Sequence, residues 1–206
     1  VDRRWTSLVE RHPMSSVFHT SSWLRSLRDT YGFRPVVFTT SAPSDPNLIN
    51  GVVIANVESW LTGYRSISLP FSDHCEPLTS STDETLDLLM ELPSCLSGPG
   101  RYIELRPRRE FPRHLQQFER HTRFVHHDLQ LHADPEQTLA GTHRDGIRRK
   151  IRRAHRERVV CTVGRSEPLL RDFYRLQVLT RRRHQLPPQP LTWFRNLAAH
   201  FGNAVS

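Results

Sequence analysis

Apolar positions along the chain recur in two rhythms. Trp23, Leu24, Leu27 and Tyr31 fall at the spacing of one helical face. Ser21 or Ser22 offers a hydroxyl to the free N–H groups at the start of that helix, and Gly32 stops it. Val36, Val37 and Phe38 then have strand-forming side chains, a Pro, Ser and Asn loop occupies 41–50, and the apolar run 51–57 resumes as strand. The pair predicts a hairpin. Residues 64–69 predict a third strand, which runs into a turn bounded by Pro70 and Pro77. Over 82–92 the pattern is helical, with Thr82 as cap, acidic residues in the first turn, Leu86, Leu89 and Met90 on one face, and Pro93 as the stop.

Further along, 102–105 and 124–131 are strand candidates, and Asp134-Pro135 opens a helical stretch. A basic helix is predicted over 143–158 and a strand over 159–163. A helix over 168–183 would bury Leu169, Phe173 and Leu176 together with Leu170, Tyr174 and Val178. After a proline-rich turn at 187–190, Trp193, Phe194, Leu197 and Phe201 mark a last helix. Helices and strands alternate without regular βαβ spacing, so the fold class expected is α/β in the α+β sense, a mixed sheet flanked by helices. Gly202 ends the last helix and the residues after it begin an apolar segment, so the chain reads as cut short.

Composition is that of a folded protein, with 36% hydrophobic and 24% charged residues over 206 positions, enough for one generous domain or two small ones. Lys and Arg number 29 against 21 Asp and Glu, and Lys150 is the only lysine. Arginine presents a planar fork of donors that matches phosphate and carboxylate oxygens. Residues 143–158 hold eight Arg and Lys against two acidic residues, with Ile147, Ile151 and Ala154 on one narrow stripe. Like charges on successive turns repel, so this helix is either a solvated basic face or a surface for phosphate or nucleic acid. Cys75, Cys95 and Cys161 are odd in number and widely spaced, which suits reduced thiols in the cytoplasm. No apolar run reaches the length of a membrane span, and no signal-peptide core is evident.

The richest chemistry within a few residues is Ser72-Asp73-His74-Cys75-Glu76. Adjacent side chains rarely ligate one ion together and no second His or Cys pair at zinc spacing accompanies them, so no metal site is assigned. A Cys-His nucleophile lacks an identifiable orienting partner. A substrate-facing loop and a plain proline-bounded turn both remain open. His126 and His127 alternate across a strand candidate and read as structural or surface residues. The cations of Thr180-Arg181-Arg182-Arg183-His184 complement a helix C-terminus, with an anion site as the alternative.

In the order of its elements the chain resembles the Fem-type (FemAB-like) branch of the GNAT-like acyltransferases. The resemblance runs through Trp23-Leu24 to Tyr31-Gly32, the stretch from Gly63-Tyr64 to Ser72-Asp73, Gly146 to Ala154, Phe173-Tyr174 to Arg182-Arg183-His184, and Trp193-Phe194. It implies a first GNAT-like lobe over 1–130 and an incomplete second lobe over 131–206 that begins with the basic helix. It also implies transfer of an acyl or aminoacyl group to an amine of a cell-envelope precursor or small metabolite. The donor would be acyl-CoA or aminoacyl-tRNA, with no permanently bound cofactor. The Gly-rich pyrophosphate loop of acetyl-CoA enzymes is absent, which fits either truncation or an aminoacyl-tRNA donor. On this resemblance Asp73 is the first candidate for catalysis. Ser72, His74 and Glu76 would face the substrate, while Arg148, Arg149, Arg152 and Arg183 would hold phosphates of a nucleotide-linked acceptor or tRNA. Two alternatives stand beside it: a non-enzymatic nucleic-acid-binding protein using the Arg-rich helix, and an inactive fragment.

Overall fold

The Asp2 side chain accepts the Arg4 N–H at 2.9 Å and so caps α1 (Arg3–Arg11), a helix absent from the sequence expectation. Trp5, Leu8 and Val9 supply its buried face. The computed structural model describes residues 2–59, 63–95, 102–111, 115, 118–142 and 146–205. After a short 3-10 turn, Val17–His19, α2 (Ser21–Tyr31) begins on Thr20, whose hydroxyl accepts the Trp23 N–H. The cap lies just ahead of the serines expected to provide it. Gly32 ends α2 at φ 71°, a left-handed position open to glycine without steric cost.

Four strands form one mixed sheet in the order β1 (Arg34–Phe38), β2 (Val52–Ser59), β3 (Gly63–Ile67), β4 (Tyr102–Glu104). β1 and β2 make the expected hairpin, with Val36 opposite Ile54, and β2 and β3 are also antiparallel. β3 and β4 run parallel, which requires a crossover. That connection contains α3 (Thr82–Cys95). The Ser81 hydroxyl accepts the Glu84 N–H at 3.1 Å, so Thr82 is already helical. Pro93 does not stop α3; it sits in the last turn, where its missing N–H removes one bond without preventing the turn from closing.

Alternation along β2 divides the core. Val53 and Ala55 face Trp5, Leu8, Leu24, Leu27 and Trp193, whereas Val52 and Ile54 face Leu88, Leu89, Leu92 and Leu115. A strand buried on both faces reads as a continuous apolar run, and Val52-Val53-Ile54-Ala55 is one. Just before it Gly51 permits a close approach: a Cβ there would stand 2.9 Å from the Trp5 ring and 3.2 Å from Val37 Cγ1.

The remaining helices are α4 (Pro135–Ala140), α5 (Ile147–Arg156), α6 (Glu167–Arg183) and α7 (Leu191–Phe201). The chain divides into two compact units, one of Val1–Glu119 with Arg165–Ser206 and the other of Arg120–Gly164. Strands expected at 124–131 and 159–163 are not formed. Phe124 is 87% exposed and Val160 85%, and strand propensity has no force without a neighbouring strand to pack and pair with. His126 instead pairs locally with Asp128 at 2.8 Å. Within the second unit Ile147 and Ile151 of α5 are exposed, so the apolar stripe expected to dock this helix is open to solvent. His143, Arg144 and Asp145, the first residues of the expected basic helix, lie outside the described residues. In α6 the expected buried side is only partly covered. Tyr174 and Phe173 pack on Phe194 at 6.0 and 5.1 Å, but Phe173 and Leu176 stay exposed.

Candidate functional site

β3 ends in backbone that ordinary residues avoid. Leu69 and Phe71 adopt φ of 67° and 62°, left-handed conformations that cost a non-glycine residue about 1–3 kcal/mol each and concentrate at functional sites. Local bonds hold them. The Ser72 hydroxyl donates to Leu69 O at 2.7 Å, and Arg106 donates from its side chain to Ser72 O at 3.0 Å and from its backbone to Ser68 Oγ at 2.8 Å. Leu69 is fully buried, and the Phe71 ring stacks on Tyr31 at 4.7 Å.

The far side of the loop is fastened as tightly. Cys75 N–H donates to Arg106 O at 2.8 Å, and Leu78 exchanges backbone bonds with Gly51 at 2.8 and 3.0 Å. Glu76, only 4% exposed, accepts from Arg108 N–H at 2.6 Å and from Arg108 Nε at 3.3 Å. The Ser72 hydroxyl and Glu76 Oε1 thus serve to fasten the loop. Asp73 lies between these fastenings, exposed, and makes no hydrogen bond or ion pair among the described residues. His74 is half-buried with its ring edge-on to Phe18 at 5.2 Å.

Beneath the loop lies His19, which the sequence reading did not single out. Its Nδ1 accepts the Ser16 N–H at 3.0 Å, which assigns the ring proton to Nε2, and Nε2 donates to Glu76 O at 3.0 Å. The Cys75 Sγ is 3.4 Å from the same nitrogen. Burial pushes the His19 pKa down, and burial, then the charge of Glu76, pushes the Cys75 thiol well up. The pair therefore rests as thiol and neutral imidazole, the opposite of an activated nucleophile. Its work is structural.

That state has a pH signature. The unfolded chain takes up a proton on His19 near the ordinary value of 6.5, while the folded chain does so only at lower pH. The His19 contribution to stability is complete above the ordinary value and is lost as pH falls through the window below it, with a slope of at most about 1.4 kcal/mol per pH unit for one proton. Urea unfolding at pH 7, 6 and 5 is expected to show a shallower decline in His19→Gln than in the parent chain. An equal decline would remove His19 from the account.

Aromatic rings extend the site. Phe18 meets Trp23 at 4.9 Å, Trp23 meets Trp193 at 5.3 Å, and Trp193 meets Tyr31 and Phe71 at 5.6 and 5.7 Å. Two donors in this cluster, Trp23 Nε1 and the Tyr31 hydroxyl, are out of contact with solvent and have no hydrogen-bond partner among the described residues. Burial pushes the Tyr31 pKa up to about 12, so the phenol keeps its proton as a donor. The density of aromatic residues between Phe18 and Phe33, and at Trp193-Phe194, was the available sequence signal.

The predicted phosphate-binding residues are divided between the units. Arg183, in the last turn of α6, is exposed and makes no hydrogen bond or ion pair among the described residues. It belongs to the first unit, as do Asp73 and His74. Arg148, Arg149 and Arg152 belong to the second. There Arg148 donates to Leu139 O at 3.3 Å, Arg152 donates to Arg148 O at 3.4 Å, and the Arg149 side chain is exposed without a partner among the described residues.

No family model and no curated protein matches this chain. Among solved structures it is similar to the crystal structure of FemX, with a TM-score of 0.60 and 14% identity, over 99% of this chain and 54% of that one. The chain thus spans about half the length of the FemX chain. The likeness is one of fold: this chain's four-stranded mixed sheet flanked by helices is consistent with a GNAT-like fold.

Proposed function

We propose that this chain carries the acceptor half of a Fem-type acyltransferase. It transfers an acyl or aminoacyl group, from acyl-CoA or aminoacyl-tRNA, to an amine of a nucleotide-linked cell-envelope precursor or small metabolite in the cytoplasm. The observation that carries this reading is the likeness to FemX over 99% of the chain. The Pro70 to Pro77 loop, stiffened at both ends around an exposed carboxylate, adds to it. In the reaction the amine nitrogen bonds to the donor carbonyl carbon, the bond to the donor's sulfur or oxygen breaks with its electron pair leaving on that atom, and Asp73 accepts the proton released by the amine. Positioning supplies much of the rate in such a transfer. Within the first unit the aromatic cluster and His74 form the acceptor platform and Arg183 binds phosphate. Within the second, Arg148, Arg149 and Arg152 of α5 offer phosphate-binding donors of their own.

A second reading rests on α5 alone. The side chains of its Arg149, Lys150 and Arg156 are exposed without hydrogen-bond partners among the described residues, as a non-enzymatic nucleic-acid-binding helix would require. Ligand-dependent unfolding separates the two. A ligand bound only by the native state stabilises it by RT ln(1 + [L]/Kd), about 2.7 kcal/mol at a hundredfold excess over Kd. Under the first reading a UDP-linked peptide raises the melting temperature at 150 mM salt. Under the second, only RNA or DNA does so, and its effect falls steeply with salt.

A further inference from the structure

We propose a second binding site, separate from the Asp73 loop and independent of the transferase reading: a pocket between α1, α2 and the edge strand β1 that takes a small amphiphilic anion. The cavity has a volume of about 350 Å³, within the range of pockets that hold small molecules. Its floor is apolar, formed by Trp5, Leu24 and Leu48, each no more than 3% exposed, with Val37 beside them. Its walls carry Arg4, Arg25, Arg28 and Arg34 against one acid, Asp2.

The arginines differ in what already occupies them. Arg4 is held by Asp2 and by the carbonyls of Pro43 and Asp45, and Arg28 is paired with Asp29 at 2.8 Å. Arg25 and Arg34 are exposed and have no hydrogen bond or ion pair among the described residues. Two guanidinium groups without a partner among the described residues line one apolar-floored cavity, and an anionic head group can pair with them while its apolar body covers the floor. An inorganic anion leaves the floor wet, and a neutral alkyl chain leaves the cations unpaired. The match is to a phosphate or carboxylate bearing a short hydrocarbon body, whether a free metabolite or the exposed end of an anionic lipid.

Isothermal titration with octyl phosphate, below its micelle concentration, tests the site in the whole chain. The expected result is one equivalent bound, at least about tenfold more tightly than inorganic phosphate or octanol, with the difference abolished in the double variant Arg25→Gln and Arg34→Gln. Because both side chains are exposed, that variant is expected to keep the parent melting temperature. Val37→Thr, nearly isosteric, is expected to weaken octyl phosphate but not inorganic phosphate. Sedimentation with phosphatidylglycerol vesicles distinguishes the sources: capture lost in the double variant assigns the head group to lipid, and its absence alongside octyl phosphate binding assigns a free metabolite. Octyl phosphate binding that is absent, unchanged in the double variant, or matched by octanol overturns the proposal.

Discussion

Asp73→Asn is expected to lower the rate of acyl transfer by at least about 100-fold while leaving the fold as it was. General-base groups contribute roughly 10²- to 10⁴-fold when they accept a proton in the transition state. Asn keeps the shape of the side chain but has no lone pair basic enough for that task. The folding side of the expectation follows from position: Asp73 is exposed and makes no hydrogen bond or ion pair among the described residues, and exposed substitutions of this kind usually change stability by less than about 0.5 kcal/mol. Neighbouring Ser72 and Glu76 are different, because their side chains fasten the loop and their loss would confuse misfolding with inactivity. Single-turnover rates with saturating donor and acceptor make the comparison. A variant within about threefold of the parent would remove Asp73 from the mechanism.

Trp193→Ala is expected to destabilise the first unit by about 3–5 kcal/mol, the usual loss when a buried tryptophan is truncated. Trp193 is 3% exposed and sits edge-on to Trp23 at 5.3 Å, with Tyr31 and Phe71 within 6 Å of its ring centre. It therefore joins α7 to α2 and also supports the left-handed residue Phe71. Polar links between the same helices are Ser22 Oγ to His200 O at 2.7 Å, Asn196 to Thr30 at 2.9 Å and His200 to Asp29 at 2.9 Å. Partly exposed contacts of this kind cannot replace the lost apolar burial. Urea unfolding followed by far-ultraviolet circular dichroism measures the change. A loss below about 1 kcal/mol would mean that α7 is held mainly by its polar rim.

The core hairpin and α2 were legible in the chain because each is signalled by neighbouring residues: an apolar run for β2, and for α2 the helical spacing from Trp23 to Tyr31 with Gly32 as its stop, although its cap is Thr20 rather than Ser21 or Ser22. Pro70 and Pro77 likewise framed the loop. α1 escaped notice although Trp5, Leu8 and Val9 have helical spacing, since Arg3, Arg4, Glu10 and Arg11 dilute the pattern within a short window. At 124–131 and 159–163 the error ran the other way. Val125, Val159 and Val160 favour strands, but a strand exists only with a partner, and partners are a property of the tertiary fold. The site shows the same limit. Asp73 and His74 could be found locally, whereas His19 reaches Glu76 across 57 positions and the left-handed turn at Phe71 depends on Tyr31 and Trp193. Burial, too, is a property of the tertiary fold: the Cys75 thiol, next to His74 in sequence, is sealed against the neutral imidazole of His19.

The most direct measurement is of product. The chain is incubated with a UDP-linked peptide bearing a free amine and, in parallel, with acyl-CoA or a mixture of aminoacyl-tRNAs, and the peptide is weighed by mass spectrometry. The proposed reaction predicts a mass increase equal to one acyl or aminoacyl residue, located on the amine, that depends on the donor and is lost in Asp73→Asn. Peptide of unchanged mass with every donor, from a chain that binds both substrates, would contradict it.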